Sequence, residues 1–95
     1  MHTEMIKFWE WFVEKEEWII NHADRGEVVY AIDDRLKEVF SYFDGELEFE
    51  FCFFKGKGEF NFFDLNIEKL NKDAQLLKNN MPVNLSKRWC FNISH

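Results

Sequence analysis

The chain has 95 residues, 46% of them hydrophobic and 32% charged, with 12 Phe and 4 Trp. That length fits one domain, and bulky aromatics let a small core bury enough area to be stable, so the composition argues against intrinsic disorder. A formal net charge of −6 argues against a general phosphate-backbone binder and against docking on an anionic membrane, and permits a basic protein partner.

The spacing predicts a first helix from Thr3 to about Asn21. Met5, Phe8, Trp9, Phe12, Val13, Ile19 and Ile20 gather on one broad face, with Lys7, Glu10, Glu14 and Glu17 opposite. Thr3 is the expected N-cap, and Glu4 suits the positive end of the helix dipole. Asp24-Arg25-Gly26-Glu27 reads as a capping box with Asp in the Ser/Thr role. It opens a second helix running to about Phe43, along Val28, Ile32, Leu36, Val39 and Phe43.

Asp44-Gly45 ends that helix and Glu46 to Phe54 alternates. Leu47, Phe49, Phe51 and Phe53 take one face, and Glu46, Glu48, Glu50 and Cys52 the other, the pattern of a half-buried antiparallel strand. Lys55-Gly56-Lys57-Gly58 is a turn, and Glu59 to about Leu65 returns as the second strand of a hairpin, with a candidate bulge at Phe62-Phe63. Asp64 or Asn66 can cap a third helix, carried by Ile67, Leu70, Ala74 and Leu77 and ended by Asn79-Asn80-Met81-Pro82. Lys87 to Ser94 is a last strand, with Trp89, Phe91 and Ile93 on one face and Arg88, Cys90 and Asn92 on the other.

The expected fold is α+β in the order α-α-β-β-α-β: one domain, residues 1–95, with a three-stranded sheet and helices packed on its Phe-rich face. The opposite face, with Glu48, Glu50, Cys52, Cys90 and Asn92, is expected to meet solvent.

Catalytic signatures are missing from this sequence: there is no Walker loop, Rossmann glycine pattern, HExxH or Gly-x-Ser-x-Gly elbow. No cofactor and no catalytic residue is therefore assigned. Lys55-Gly56-Lys57-Gly58 joins two strands, whereas a phosphate cradle needs the N–H groups of a helix N-terminus. Cys52 and Cys90 match no zinc or redox spacing, so no metal site is expected; the two sulfurs come close only if their strands are neighbours. His2 and His95 lie at the termini, while His22 is placed to bond the last carbonyls of the first helix. An acidic N-terminus without a signal-peptide core, no membrane-length apolar run and only two cysteines point to the cytoplasm.

Three residues of the first helix stand out. Glu16 projects into the apolar arc between Phe12, Val13, Ile19 and Ile20, where a carboxylate needs a partner. Trp11 and Trp18 lie two turns apart and form a ridge, read either as edge packing on the second helix or as an aromatic anchor for another protein. Trp11, Glu16 and Trp18 are the candidate binding residues.

Phe8-Trp9-Glu10-Trp11-Phe12, Glu59-Phe60-Asn61-Phe62, Met81-Pro82 and Arg88-Trp89-Cys90-Phe91 together resemble a family of small bacterial proteins of unknown function that open on a Phe-Trp-x-Trp-Phe helix. The resemblance implies an α+β layout and a bacterial origin, and brings no activity. Where that family tends to carry a glycine turn after the second strand, this chain has Phe63-Asp64-Leu65-Asn66, in which Asn can take the left-handed conformation.

The leading expectation is a non-catalytic protein-binding or regulatory module, of inhibitor or immunity type, acting on an unidentified protein partner or as a homodimer. The alternative is a small enzyme using Glu16 with a polar partner such as His22. Nucleic-acid binding requires Lys55, Lys57, Lys87 and Arg88 to form one patch, and the acidic balance argues against it. Neither nucleic acid nor membrane is an expected partner.

Overall fold

The computed structural model describes residues 2–95. In chain order it contains α1 (His2–Asn21), α2 (Gly26–Val39), β1 (Glu48–Phe54), β2 (Lys57–Phe63), α3 (Glu68–Asn79), α4 (Val83–Ser86) and β3 (Trp89–Ser94). The class is α+β, with one short helix beyond the expected order. The chain divides into two compact units, the helical pair up to Leu47 and the sheet unit from Glu48 onward.

In the helical unit, α1 and α2 pack on each other. Met5, Phe8, Trp9, Phe12 and Ile19 of α1 are buried, as are Val28, Ile32, Leu36 and Val39 of α2. Trp9 meets Phe8 edge-on at 5.0 Å and Phe12 at 5.7 Å between ring centroids. Such pairs add about 0.5–1.5 kcal/mol each beyond their buried area. Val13 is exposed, so the apolar arc of α1 is narrower than its periodicity suggests.

The helix ends differ from expectation for local reasons. Thr3 lies within α1 rather than capping it. The N-cap of α2 is Arg25, in extended conformation with no side-chain cap, so the box centred on Asp24 does not close. With the cap one residue later, the Asp24 side chain sits outside the helix, away from the N–H groups it was to receive. At the other end α2 stops at Val39: Phe40 takes φ −105° and ψ 45° while its N–H still bonds Leu36 O at 2.9 Å. Phe43 is then reached through a tighter turn, its N–H bonding Phe40 O at 3.0 Å.

In the sheet unit, β1 and β2 pair antiparallel from Glu48↔Phe63 to Phe54↔Lys57, without a bulge at Phe62-Phe63. The connection is two residues long, Lys55 at φ 51° and Gly56 at φ 78°. Positive φ at both positions is the type I′ geometry that matches the twist of the strands. Lys57 and Gly58 therefore belong to the strand, not to the turn. β2 also pairs with β3, in parallel, giving the order β1-β2-β3. Parallel neighbours need a crossover, supplied by α3 and α4, which both contact β3. Leu70, Ala74 and Leu77 of α3 and Leu85 of α4 are buried.

The two faces of the sheet divide as the alternation requires. Gly58, Phe60 and Phe62 of β2 and Trp89 and Phe91 of β3 are buried, and Phe49, Phe51 and Phe53 at the β1 edge are half-buried. Phe60 is the centre of this face, stacked near-parallel on Phe49 and Phe91, each at 5.4 Å. Gly58 sits between Phe53 and Trp89 in register. Its lack of a side chain lets the Trp89 ring cross the central strand, so that a Cβ built on Gly58 would lie 2.3 Å from Trp89 Cδ2. Trp89 and Phe53 meet there at 5.6 Å.

α3 begins at Glu68 with Ile67 as its N-cap, so neither Asp64 nor Asn66 caps it. Asp64 closes a turn instead: Ile67 N–H bonds Asp64 O at 2.9 Å, with Leu65 at φ 56° and Asn66 at φ 61° between them. The expected left-handed Asn66 is present, and Leu65 joins it. α4 follows Pro82, whose φ of −60° suits the start of a helix. β3 begins two residues later than expected, at Trp89.

Candidate functional site

The residues singled out on α1 are all half-buried. Trp11 faces α2, where the Arg35 guanidinium lies 5.4 Å above its ring. Trp18 lies beside His22, ring centroids 6.3 Å apart. Its carbonyl accepts two hydrogen bonds, from the His22 backbone N–H at 3.1 Å and from His22 Nδ1 at 3.0 Å. This is the anticipated role for His22, closing the C-terminal end of α1. The Nδ1 contact directs the imidazole of His22, six residues along from Glu16, to the Trp18 carbonyl.

Charge is distributed unevenly. Up to Leu47 the chain carries five Lys or Arg against twelve Asp or Glu; from Glu48 onward it carries seven against six. The whole net negative charge thus belongs to the helical pair. Glu10, Glu14 and Glu17 of α1 are exposed, beside the exposed apolar side chains of Ile6 and Val13.

The sheet unit holds a polar cluster that inspection of the sequence did not single out. Asp64 is 1% exposed, yet both its oxygens are engaged. Oδ1 accepts from Asn66 N–H at 2.9 Å, and Oδ2 accepts from Asn71 Nδ2 at 2.8 Å. His95 Nδ1 approaches Oδ2 at 2.9 Å and Oδ1 at 3.1 Å. Burial pushes this carboxyl up, but the Asn71, Asn66 and His95 hydrogen bonds and the His95 charge outweigh it and hold it below the ordinary value. With Nδ1 turned to the carboxylate, Nε2 is the ring nitrogen left to act as acceptor, base or ligand.

The parallel strand pair explains why this cluster forms. Phe63 is opposite Ser94, so the next rung places Asp64 beside His95. The signal was an Asp leaving one strand and a His leaving another, and it carries meaning only once those strands are known to be parallel neighbours.

The outer face of the sheet carries a second polar row. Asn61 Nδ2 reaches Glu50 Oε1 at 3.4 Å, Asn92 Nδ2 donates to Asn61 Oδ1 at 2.9 Å, and Cys90 Sγ lies 3.3 Å from Asn92 Oδ1. Cys52 and Cys90 share this face but not a strand boundary. Cys52 pairs with Glu59, and Glu59 with Cys90, so β2 runs between them. Two inter-strand spacings are about 9.5 Å, beyond the reach of a disulfide. Both thiols are free and exposed. Among the described residues no group of three or more His, Cys, Asp or Glu side chains could hold a metal ion.

Four basic residues gather at the hairpin end of the sheet. Lys57 Nζ donates to Lys87 O at 3.1 Å, and Gly58 N–H bonds Arg88 O at 2.8 Å. Lys55 sits in the turn itself, its Nζ 5.3 Å above the Phe54 ring. Among the described residues, no helix is long and apolar enough to cross a membrane. Comparison with protein-family models, curated proteins and solved structures finds no match, so the likeness to the Phe-Trp-x-Trp-Phe proteins rests on the motif residues alone.

Proposed function

We propose that this chain is a non-catalytic, cytoplasmic protein-binding module whose acidic helical pair receives a basic surface of another protein. The observation that carries the reading is the segregation of charge: twelve acidic against five basic residues up to Leu47, and near balance after it. A single-sign field over one unit speeds encounter with an oppositely charged partner and rejects acidic ones. Exposed Ile6 and Val13 beside Glu10, Glu14 and Glu17 supply apolar contact at the centre of that field. The regulatory or inhibitor-like role follows from binding without chemistry, and two exposed free thiols suit a reducing compartment.

The test is affinity capture from the native host with the wild-type chain and with a Glu10→Lys, Glu14→Lys, Glu17→Lys variant. A basic protein retained by the wild type, released by salt and absent from the variant supports the reading. Equal capture by both chains overturns it.

An enzymatic reading is favoured by one observation, the buried Asp64 that orients the exposed imidazole of His95. It moves the candidate chemistry from Glu16 and His22 to Asp64 and His95. Hydrolysis of an activated ester faster by the wild type than by His95→Ala supports it; equal rates remove it.

A further inference from the structure

We propose that the free edge of β1 is a self-association surface, pairing antiparallel with β1 of a second copy about a two-fold axis at Phe51. The proposal is independent of the acidic-helix reading, because it uses a different unit and a different kind of contact.

Strand order places β1 at an edge, with β2 on one side only. The register says which backbone groups point outward. Phe54↔Lys57 closes a two-residue hairpin and is therefore a hydrogen-bonded pair, as are Cys52↔Glu59, Glu50↔Asn61 and Glu48↔Phe63. Phe49, Phe51 and Phe53 form the alternate pairs, so their N–H and C=O groups face away from β2. The β2 side agrees: Gly58 and Asp64 direct their N–H groups to Arg88 and Ser94 on the far side. Among the described residues, Phe49, Phe51 and Phe53 make no backbone hydrogen bond outside the ladder. Three donors and three acceptors thus stand in a row on a seven-residue strand carrying four Phe, the arrangement that templates strand addition.

Charge selects a second copy as the occupant, and selects the register. The strand begins acidic, at Glu48 and Glu50, and leads into a basic tip, at Lys55 and Lys57. Antiparallel self-pairing brings the acidic start of each copy to the basic tip of the other. With the axis at Phe51, Glu48 lies opposite Phe54 of the second copy, one strand from its Lys57, and Glu50 lies opposite Cys52. An axis at Glu50 sets Glu50 against itself, and an axis at Phe49 sets Glu48 against Glu50; directly opposed like charges are destabilising. An axis at Cys52 shortens the overlap. The Phe51 register alone uses the whole strand, gives about six new backbone hydrogen bonds and continues the Phe face across both sheets.

The register makes a sharp test. Glu50 and Cys52 of opposite copies become a non-hydrogen-bonded pair, with Cα atoms about 4.5 Å apart, within disulfide reach. Under mild oxidation by oxidised glutathione, E50C is expected to convert almost completely to a dimer on a non-reducing gel, with a mass fitting two Cys-to-Cys52 links. E50C/C52S is expected to stay uncrosslinked. Phe51→Pro removes an outward N–H that the β1–β2 ladder does not use, and should render the chain monomeric in sedimentation while Phe51→Ala still dimerises. Circular dichroism verifies that each variant is folded. A wild type that stays monomeric at millimolar concentration, or a folded E50C that fails to crosslink, overturns the proposal.

Discussion

Gly58→Ala is the most informative single substitution for the sheet. The added Cβ would fall 2.3 Å from Trp89 Cδ2, 2.4 Å from Cε3 and 2.7 Å from Cε2, where ordinary contact begins near 3.4 Å. Trp89 is 3% exposed, and its ring is held against Phe53 at 5.6 Å. The overlap is therefore relieved only by moving a buried ring or separating two paired strands. Overpacking of this kind costs about 1–3 kcal/mol, and an overlap of more than an ångström lies toward the upper end. Gly58 does not have a positive φ, so alanine gains back about 0.5 kcal/mol from the unfolded chain, leaving a net loss of about 2 kcal/mol. For a chain of this size that lowers Tm by about 10 °C. Urea unfolding followed by circular dichroism measures it, with Gly26→Ala as control, because its Cβ meets only Tyr30 Cε2, at 3.8 Å. Trp89→Leu should remove most of the Gly58→Ala penalty in a double-mutant cycle. A Gly58→Ala chain as stable as wild type refutes the packing argument.

The carboxyl of Asp64 holds its proton less tightly in the folded chain than in the unfolded one. The stability it contributes is complete above the ordinary carboxylate value of 3.8 and is lost as pH falls through the lower folded value; Asp64→Asn should flatten that acid limb in denaturation measured across pH. Asn71→Ala removes a donor from a buried carboxylate and should cost about 1–3 kcal/mol by urea unfolding, more than His95→Ala, because the His95 side chain is 72% exposed. Leu65→Gly should raise stability by up to about 1 kcal/mol, because Leu65 holds φ 56° while only partly covered; a loss in thermal unfolding would show that its side-chain contacts outweigh the strain. Arg35→Ala and Trp11→Leu should be non-additive by about 0.5–1 kcal/mol in a double-mutant cycle read by urea unfolding, the value of a partly exposed cation over an indole.

The helices and the hairpin could be read from the sequence because their signals are local. Val28, Ile32, Leu36 and Val39 recur at the helical period, and Phe49, Phe51 and Phe53 alternate with Glu48, Glu50 and Cys52. Boundaries failed where one backbone torsion decided them, as at Phe40, or where a cap moved by one residue, as at Arg25. The Asp64 cluster was illegible for a different reason. Asp64, Asn71 and His95 meet through the parallel placement of β3 on β2, and local periodicity does not encode strand order. The same unknown left the distance between Cys52 and Cys90 open, and the intervening β2 settles it. On α1, the spacing of Trp11 and Trp18 was visible, but the Arg35 cover on Trp11 depends on how α2 lies against α1.

β2 joins two neighbours of very different sequence distance. Its antiparallel partner is connected by Lys55-Gly56, whereas Asn61 and Asn92 on the parallel side are 31 residues apart. A hairpin with so short a loop closes within about 1–10 μs, while the parallel partner must await ordering of the whole crossover. The folding chain therefore passes through an interval in which β1 and β2 are joined and β2 still exposes Phe60 and Phe62 along an open edge. In that interval the edge left open belongs to the strand that will become the centre of the sheet, so the docking of β3, which sets His95 beside Asp64, is also the step that ends this exposure to misassembly.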